Sequence, residues 1–385
     1  MIESEIHRVM GSAFKTSASD PLFDSFQRMK SVLSLSGIPS LHPGKTLEEI
    51  AEALTEKVSK DTPYTRERAR QLMKEGFERL SDWTNSNSTI KKEIPSLINA
   101  VFVIEKIAPC SVDKLSKQLK SEKIVKSKMA DIDSLFALLD RFCVEHDFVI
   151  TRFKGVSFVT RSEERHIPRD LHSQAVKHVI REGACSTVQL QTLVPKQVSQ
   201  EKNPMLFKAE VLRNTEFVHD VIVSTHEDIV FLDSESEWFF FEDAGRNRLV
   251  TNIKKVFSVK PQISRVDLIT AVDKGLKLGQ FNNRSVPDDI LISLAVLIGH
   301  CNVSMKNGSV AKLKSRKEFN TAECLSEAEK LIYDALHNNG SSNMEQLKES
   351  LERENESLSP AVLAQRLTHS PVISIKGRGI YEAIA

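Results

Sequence analysis

Residues 46–80 have the sequence TLEEIAEALTEKVSKDTPYTRERARQLMKEGFERL, which contains two helical patterns separated by an Asp-Thr-Pro triplet. Thr46 precedes the first pattern, and with Glu49 three residues later it makes a capping-box pattern. Thr65, a good N-cap residue, precedes the second pattern. Apolar residues recur at helical spacing in both segments, so the stretch predicts two amphipathic helices. The apolar positions are Leu47, Ile50, Ala51 and Leu54, then Ala69, Leu72, Met73, Phe77 and Leu80.

The polar side of the second predicted helix has the chemistry of a DNA-recognition helix. Arg66, Arg70 and Gln71 share one helical face, and Thr65 as N-cap would direct the first turn toward a major groove. Arginine can bind guanine and glutamine can bind adenine through paired hydrogen bonds, and Glu67 can accept one from cytosine. The sequence therefore predicts contacts with DNA bases. A solvated charged face is the alternative, and it stays open here.

The same stretch resembles the fourth conserved region of bacterial primary sigma factors, the helix-turn-helix that contacts the −35 promoter element. The matching motifs are TLEEIA at 46–51, TRERARQ at 65–71 and the closing Arg79 and Leu80. The resemblance implies a bacterial DNA-binding protein that acts in the cytoplasm. The positions that it assigns to contacts with bases or phosphates are Arg66, Glu67, Arg68, Arg70 and Gln71, with Arg68 on the phosphate side.

The chain departs from the sigma pattern in two respects. Residues 55–64 form a ten-residue arm where the family has a turn of two or three residues, so the angle between the two helices is left open. The chain also has no counterpart of the sigma regions that bind the polymerase clamp or melt promoter DNA. The resemblance therefore implies a regulator or an accessory factor rather than a complete sigma factor.

A repeating plan follows the helical head, with helices and then two short alternating strands in each unit. Hairpins are predicted at 148–160 around Lys154 and Gly155, at 217–232, at 299–313 around an Asn-Gly turn, and at 372–384. Their turns recur at intervals of roughly 70 to 80 residues. Polar linkers are predicted at 83–93, 161–169, 242–247 and 314–323.

Helices that end in a hairpin, repeated at this interval, are typical of winged-helix domains. We expect a mainly α chain with small β-hairpins, an α+β class, in which a helix-turn-helix head precedes four tandem winged-helix-like domains. The predicted boundaries are 1–87, 94–162, 170–242, 246–314 and 324–385. The alternative is a set of unrelated α+β units that happen to end in hairpins.

Two further groups of basic residues are candidates for phosphate contacts. A lysine ladder, which includes Lys117, Lys120 and Lys123 at a spacing of three, lies near one side of a predicted helix. Arg152 and Lys154 lie in the first predicted wing. A solvated face is an equally good interpretation of the ladder. The acidic turn after residue 226 and the apolar run at 238–241 indicate that the middle repeats are spacers or protein-interaction modules.

The composition excludes several other classes of protein. The chain has 385 residues, 53 basic and 52 acidic, so it is not a globally basic coat protein. Its five cysteines form no CxxC pair, and Pro39 occupies the place where a phosphate loop ending at Gly44 needs its first glycine. The longest apolar run, at 290–298, is too short for a membrane span. We therefore expect no cofactor, no metal and no membrane partner.

The sequence as a whole predicts a cytoplasmic, non-enzymatic, sequence-specific protein that binds duplex DNA. RNA polymerase or another protein is a further possible partner. The first alternative is a non-catalytic scaffold subunit of a polymerase-associated or defence assembly, which would use its repeats to bind proteins. The second is a nuclease whose acidic residues are dispersed along the chain.

Overall fold

The computed structural model describes residues 1–58, 63–87, 90–126, 131–198, 211–235, 237–243, 245–276, 284–306, 308–354 and 356–384. Within these ranges the chain is mainly helical and has four small three-stranded antiparallel sheets, which confirms the expected α+β class. It divides into two compact units, Met1–Arg169 with Lys202–Thr225 and Asp170–Glu201 with His226–Ala385. No helix among the described residues is long and apolar enough to cross a membrane.

The head, residues 1–87, is helical, and one short helix follows it. Its elements are α1 (Ile2–Ala13), α2 (Phe23–Leu35), a 3₁₀ turn (Ile38–Ser40), α3 (Leu47–Val58), α4 (Arg66–Asn87) and α5 (Ile90–Glu93). The two helices predicted within residues 46–80 are thereby confirmed as α3 and α4. Helices α2, α3 and α4 pack together around one small apolar core. That core consists of Val32, Ile50, Ala51, Leu54, Ala69 and Leu72.

Both predicted N-caps are formed. The Thr46 hydroxyl accepts a hydrogen bond from the Glu49 amide at 3.3 Å, and the Glu49 carboxylate accepts one from the Thr46 amide at 2.7 Å. That second hydrogen bond holds the pKa of Glu49 below its ordinary value. At the start of α4, the Thr65 hydroxyl accepts a hydrogen bond from the Arg68 amide at 3.2 Å. The local sequence thus determines where both helices begin.

The predicted polar linker at 83–93 is wrong, because α4 continues to Asn87 and α5 occupies residues 90–93. An ion pair fixes this segment to α1, since the guanidinium of Arg8 lies 2.6 Å from the Glu93 carboxylate. Helix α1 also packs against α4 and α6 of the next module. The segment therefore belongs to the folded body of the first unit.

The first module, residues 94–162, has one helix before its first strand and two helices after it. Its elements are α6 (Pro95–Ile107), β1 (Cys110–Ser111), α7 (Val112–Ser121), α8 (Ile132–Arg141), β2 (Phe148–Phe153) and β3 (Val156–Arg161). The strand order is β1-β3-β2, and both pairings are antiparallel. The predicted hairpin is confirmed, and Lys154 and Gly155 at its turn both have positive φ, at 48° and 77°.

The second module, residues 170–242, corrects one hairpin prediction. Its elements are α9 (Ile167–Glu182), β4 (Cys185–Ser186), α10 (Thr187–Val198), α11 (Thr215–Thr225), β5 (Ile229–Phe231) and β6 (Trp238–Phe241). Most of the stretch predicted as a hairpin at 217–232 is helix α11, and β5 pairs instead with β6. The predicted linker at 161–169 is also wrong in part, because α9 begins at Ile167.

The third module, residues 246–314, and the fourth, residues 324–385, have the same element order as the first. The third contains α12 (Arg248–Val259), β7 (Gln262–Ser264), α13 (Arg265–Gly275), α14 (Asp288–Gly299), β8 (Asn302–Lys306) and β9 (Ser309–Lys314). After α15 (Thr321–Cys324), the fourth contains α16 (Glu327–Asn339), β10 (Ser342–Asn343), α17 (Met344–Arg353), α18 (Pro360–His369), β11 (Ile373–Gly377) and β12 (Ile380–Ala383). Both predicted hairpins are confirmed.

The four sheets share one topology, in which the first strand pairs with the third and the third with the second. At the end of each first strand, a side chain accepts a hydrogen bond from the amide three residues later; these residues are Ser111, Ser186, Ser264 and Asn343. A fully buried leucine follows each of them by four residues: Leu115, Leu190, Leu268 and Leu347. The same local device therefore recurs at intervals of about 75 to 80 residues.

Candidate nucleic-acid interface

The N-cap and the first two turns of α4 present the residues that the sigma resemblance assigns to DNA contacts. Ala69 and Leu72 point into the three-helix core and are almost fully buried, which orients α4. The residues on the outer side are all exposed: Thr65, Arg66, Glu67, Arg68, Arg70 and Gln71. The predicted division between the core face and the polar face of this helix is thereby confirmed.

Each of the three arginines on this face is paired with a glutamate. Arg66 Nε lies 3.1 Å from the carboxylate of Glu48, which belongs to α3. Arg70 donates two hydrogen bonds to Glu67, at 2.7 and 2.8 Å. These bonds hold the pKa of the Glu67 carboxyl below its ordinary value and raise the pKa of Arg70. The face therefore carries three arginines without a large net positive charge.

The third arginine, Arg68, links the first turn of α4 to the second and third turns. It donates to Gln71 at 3.2 Å and to Glu75 at 3.3 Å. All of these side chains remain about half exposed, and exposed ion pairs contribute only about 0–1 kcal/mol each. An arginine of this face would therefore lose little folding free energy if a base or phosphate replaced its glutamate partner.

The ends of the long arm between α3 and α4 are held in place by hydrogen bonds. The Thr55 hydroxyl accepts a bond from the Tyr64 amide at 2.8 Å, and the Tyr64 hydroxyl accepts one from Arg28 of α2 at 3.1 Å. Residues 59–62 of the arm lie outside the described residues. These contacts fix the position of α3 relative to α4, although the arm is longer than the turn in sigma factors.

The lysine ladder lies on α7 and the turn after it. Lys117 and Lys123 are exposed and Lys120 is half-buried, while Lys128 lies outside the described residues. Neighbouring Lys114 is 2.5 Å from the carboxylate of Glu216 on α11. Burial raises the pKa of Asp220, also on α11, and the charges of Lys114 and Lys117 oppose that rise. Acidic residues of α11 therefore offset part of the charge of the ladder.

The first wing is tied to its own module. Arg152 contacts both carboxylate oxygens of Asp133 at 2.6 Å, and Lys154 is exposed at the tip of the turn. No hydrogen bond or ion pair among the described residues joins this wing or the ladder to the first two turns of α4. The structure therefore leaves the sequence-predicted basic residues in separate groups.

Helix α8, the third helix of the first module, is unavailable as a recognition helix. Six of its ten residues are buried, and the Asp131 amide at its start donates to the Leu41 carbonyl of the head at 2.9 Å. Helix α11 is also covered, since Phe217 packs edge-to-face on Phe158 of β3. Third helices in these two modules are thus used for packing within the first unit.

The third helix of the fourth module, α18, has an exposed outer side, and the sequence analysis makes no prediction for it. Helix α18 buries Leu363 and Leu367 and exposes Gln365 and Thr368 on its outer side. Arg378 is exposed in the adjoining turn. The helical spacing of the two leucines is the signal that could have identified this face.

Three of the five cysteines have thiols whose pKa is strongly raised by burial. Burial raises the pKa of Cys110 to about 12 and that of Cys301 to about 11, and it raises the pKa of Cys185 further still, so these thiols are protonated near neutral pH. Among the described residues, no cluster of three His, Cys, Asp or Glu side chains could hold a metal ion.

Comparison of the chain with models of protein families, with curated proteins and with solved structures finds no match.

Proposed function

We propose that this protein binds duplex DNA through the first turn of α4 and is a sequence-specific regulator or sigma-like accessory factor of bacterial transcription. The observation that carries the proposal is the exposed set of Arg66, Arg70 and Gln71 on a capped helix. That helix is oriented by a three-helix core, as in helix-turn-helix proteins. The proposed protein is cytoplasmic and non-enzymatic, and it needs no cofactor.

We also propose that the four modules are winged-helix domains. The support is their common order of helix, strand, two helices and two strands, with the first strand paired to the third. Because α8 and α11 are covered within the first unit, these two helices are not proposed as DNA-recognition helices. The exposed face of α18 makes the fourth module the best candidate for a second contact with DNA.

The experiment that tests this function selects bound sequences from random duplex DNA with the full chain. Binding to the selected site and to a scrambled duplex is then measured for Arg66→Ala, Arg70→Ala and the control Arg353→Ala, whose side chain is 79% exposed on α17. We expect each head variant to lose about 1–3 kcal/mol of discrimination, because a bidentate base contact is removed. The control should keep full discrimination.

Equal losses on the selected and scrambled duplexes would leave α4 with phosphate contacts alone. Failure of the selection, with no sequence enriched at low salt, would overturn the proposed function. Circular dichroism of each variant would establish that its fold is intact. Little change is expected there, because the two head arginines make only exposed ion pairs.

A scaffold function is the second candidate, and one observation favours it. The third helices α8 and α11 are used in packing, and large apolar side chains remain exposed elsewhere, with Phe102 of α6 62% exposed and Val266 of α13 71% exposed. Such a protein would bind RNA polymerase or another protein through its modules. Salt dependence distinguishes the two candidates, since DNA binding weakens steeply with salt and apolar protein contacts do not.

A further inference from the structure

A cavity of about 770 Å³ lies in the second unit, where the end of α9, the start of α12 and the end of α13 meet. Its volume is typical of pockets that take a small molecule. The polar residues that line it include Arg181, Arg246 and Arg248, and Ile180 and Leu276 supply apolar wall. The cavity therefore combines positive charge with an apolar surface.

Arg246 and Arg248 lie where positive charge is unfavourable unless an anion binds beside them. Arg246 and Arg248 flank Asn247, the N-cap of α12, and the first turn of that helix contains no acidic residue. Neither arginine has a carboxylate within 4 Å in the described part of the chain, whereas Arg181 is paired with Glu182 at 3.0 Å. A helix N-terminus carries partial positive charge, so it repels cations and attracts anions.

Asn252 supplies a second and independent indication of a ligand. It lies four residues after Arg248, on the same face of α12, and it lines the cavity with only 7% of its surface exposed. Its side-chain amide makes no hydrogen bond to another described residue, and it lies open to the cavity rather than sealed in the core, so it can bind a ligand there. A Cβ at Gly275 would lie 2.8 Å from that amide, so the glycine leaves the space in which the amide sits.

We propose that this cavity binds a phosphorylated small molecule of mononucleotide size. Its phosphate would lie between Arg246 and Arg248, where planar guanidinium groups and the start of α12 all favour an oxyanion. Asn252 would bind a polar edge of the same molecule. The carboxyl end of α13 also lines the cavity and carries partial negative charge. It therefore favours an uncharged part of the ligand that has N–H donors, such as a nucleobase.

Titration calorimetry of the full chain with AMP, adenosine, inorganic phosphate and a dT12 oligonucleotide tests the proposal. We expect saturable one-to-one binding of AMP and at least tenfold weaker binding of adenosine and of phosphate. The variant R246A/R248A should bind AMP at least tenfold more weakly. Arg353→Ala, which removes an exposed arginine far along the chain on α17, should bind AMP as the native protein does.

The melting temperature of the ligand-free protein separates binding from structure. Since Arg246 and Arg248 are exposed and lie at a helix N-terminus, R246A/R248A should melt at the same or a higher temperature than the native chain. AMP should raise the melting temperature of the native chain alone. Asn252→Leu should weaken AMP binding as well.

Three results would overturn the proposal. They are an absence of saturable AMP binding, equal AMP binding by native protein and R246A/R248A, and binding of dT12 without binding of AMP. The last would assign these arginines to a nucleic-acid backbone. The proposal stands apart from the function of α4, because loss of AMP binding and loss of site-specific DNA binding are measured on different variants.

Discussion

Removal of the carboxylate of Glu48 should strengthen binding to DNA, because it releases Arg66 on the outer face of α4. The two side chains are 3.1 Å apart and 57% and 70% exposed, so the pair contributes at most about 1 kcal/mol to folding. A similar amount of free energy becomes available for DNA binding when Glu48→Gln removes the carboxylate that competes for Arg66. We therefore expect up to about fivefold tighter binding to any duplex, and a slope of log K against log salt that is steeper by about 0.9.

Glu78→Gln is a matched control for this change. Glu78 is 60% exposed, pairs with Lys74 at 3.7 Å and gives the same change in net charge. It lies twelve residues after Arg66 on α4, which is roughly 18 Å along the helix and beyond the Debye length of about 8 Å in physiological salt. Fluorescence anisotropy at four salt concentrations would compare both variants. Equal effects of the two changes would refute the idea that Glu48 controls the interface.

Three further predictions concern the rest of the chain. Changing Lys117, Lys120 and Lys123 together to Gln should lower the salt slope by no more than about one, since acidic residues of α11 offset the ladder; a loss near three in the same titration would contradict this. Glu329→Gln should lower the free energy of unfolding in urea by about 3 kcal/mol, because its partner Lys255, 2.6 Å away, would stay largely buried and unpaired. Burial raises the pKa of Glu329 and the hydrogen bonds from Lys255 lower it, and the net effect is a lowered pKa. The stabilisation by this pair is therefore present above pH 4.5 and is lost as pH falls through the lowered pKa. Leu268→Ala should cost about 2–5 kcal/mol in thermal melting, whereas Val266→Ala on the exposed side of α13 should change stability by less than about 0.5 kcal/mol.

Local signals were enough to predict α3 and α4 of the head. Thr46 and Thr65 mark the starts of α3 and α4 because a hydroxyl at the N-cap satisfies amides that no helical carbonyl can reach. The spacing of Ala69 and Leu72 identifies the core side of α4 for the same local reason. Such features depend on residues within one or two turns, so the sequence alone contains them.

The second module could not be predicted by the same route. The stretch after Phe217 is rich in valine and isoleucine, which favours strands, yet α11 forms because Phe217, Val218, Val221 and Ile222 bury one helical face. Packing outweighed local preference there. The repeated N-cap with a leucine four residues later is local, and a search for it at intervals of about 75 to 80 residues would have located all four modules.

The same contrast between local and distant interactions holds for the outer face of α4. The arginines of α4 are evident in the sequence, but their partners are not, because Glu48 lies on a different helix and meets Arg66 only after folding. The burial of α8 depends likewise on the distant contact between Asp131 and Leu41. The exposed polar residues of α4 could therefore be predicted from the sequence, while the nearly neutral charge of the assembled face could not.

Under the proposed function, the nearly neutral charge of this face has a consequence for specificity. Non-specific binding to DNA is almost entirely electrostatic, so glutamates paired with Arg66 and Arg70 would weaken it for every sequence. At the proposed target site, bidentate hydrogen bonds to bases would replace the carboxylate contacts and recover about 1–3 kcal/mol each, which a wrong base cannot do. The acidic partners would thus act against wrong sites more than against the right one. A protein built this way would bind generic DNA weakly at physiological salt and its selected sequence more tightly.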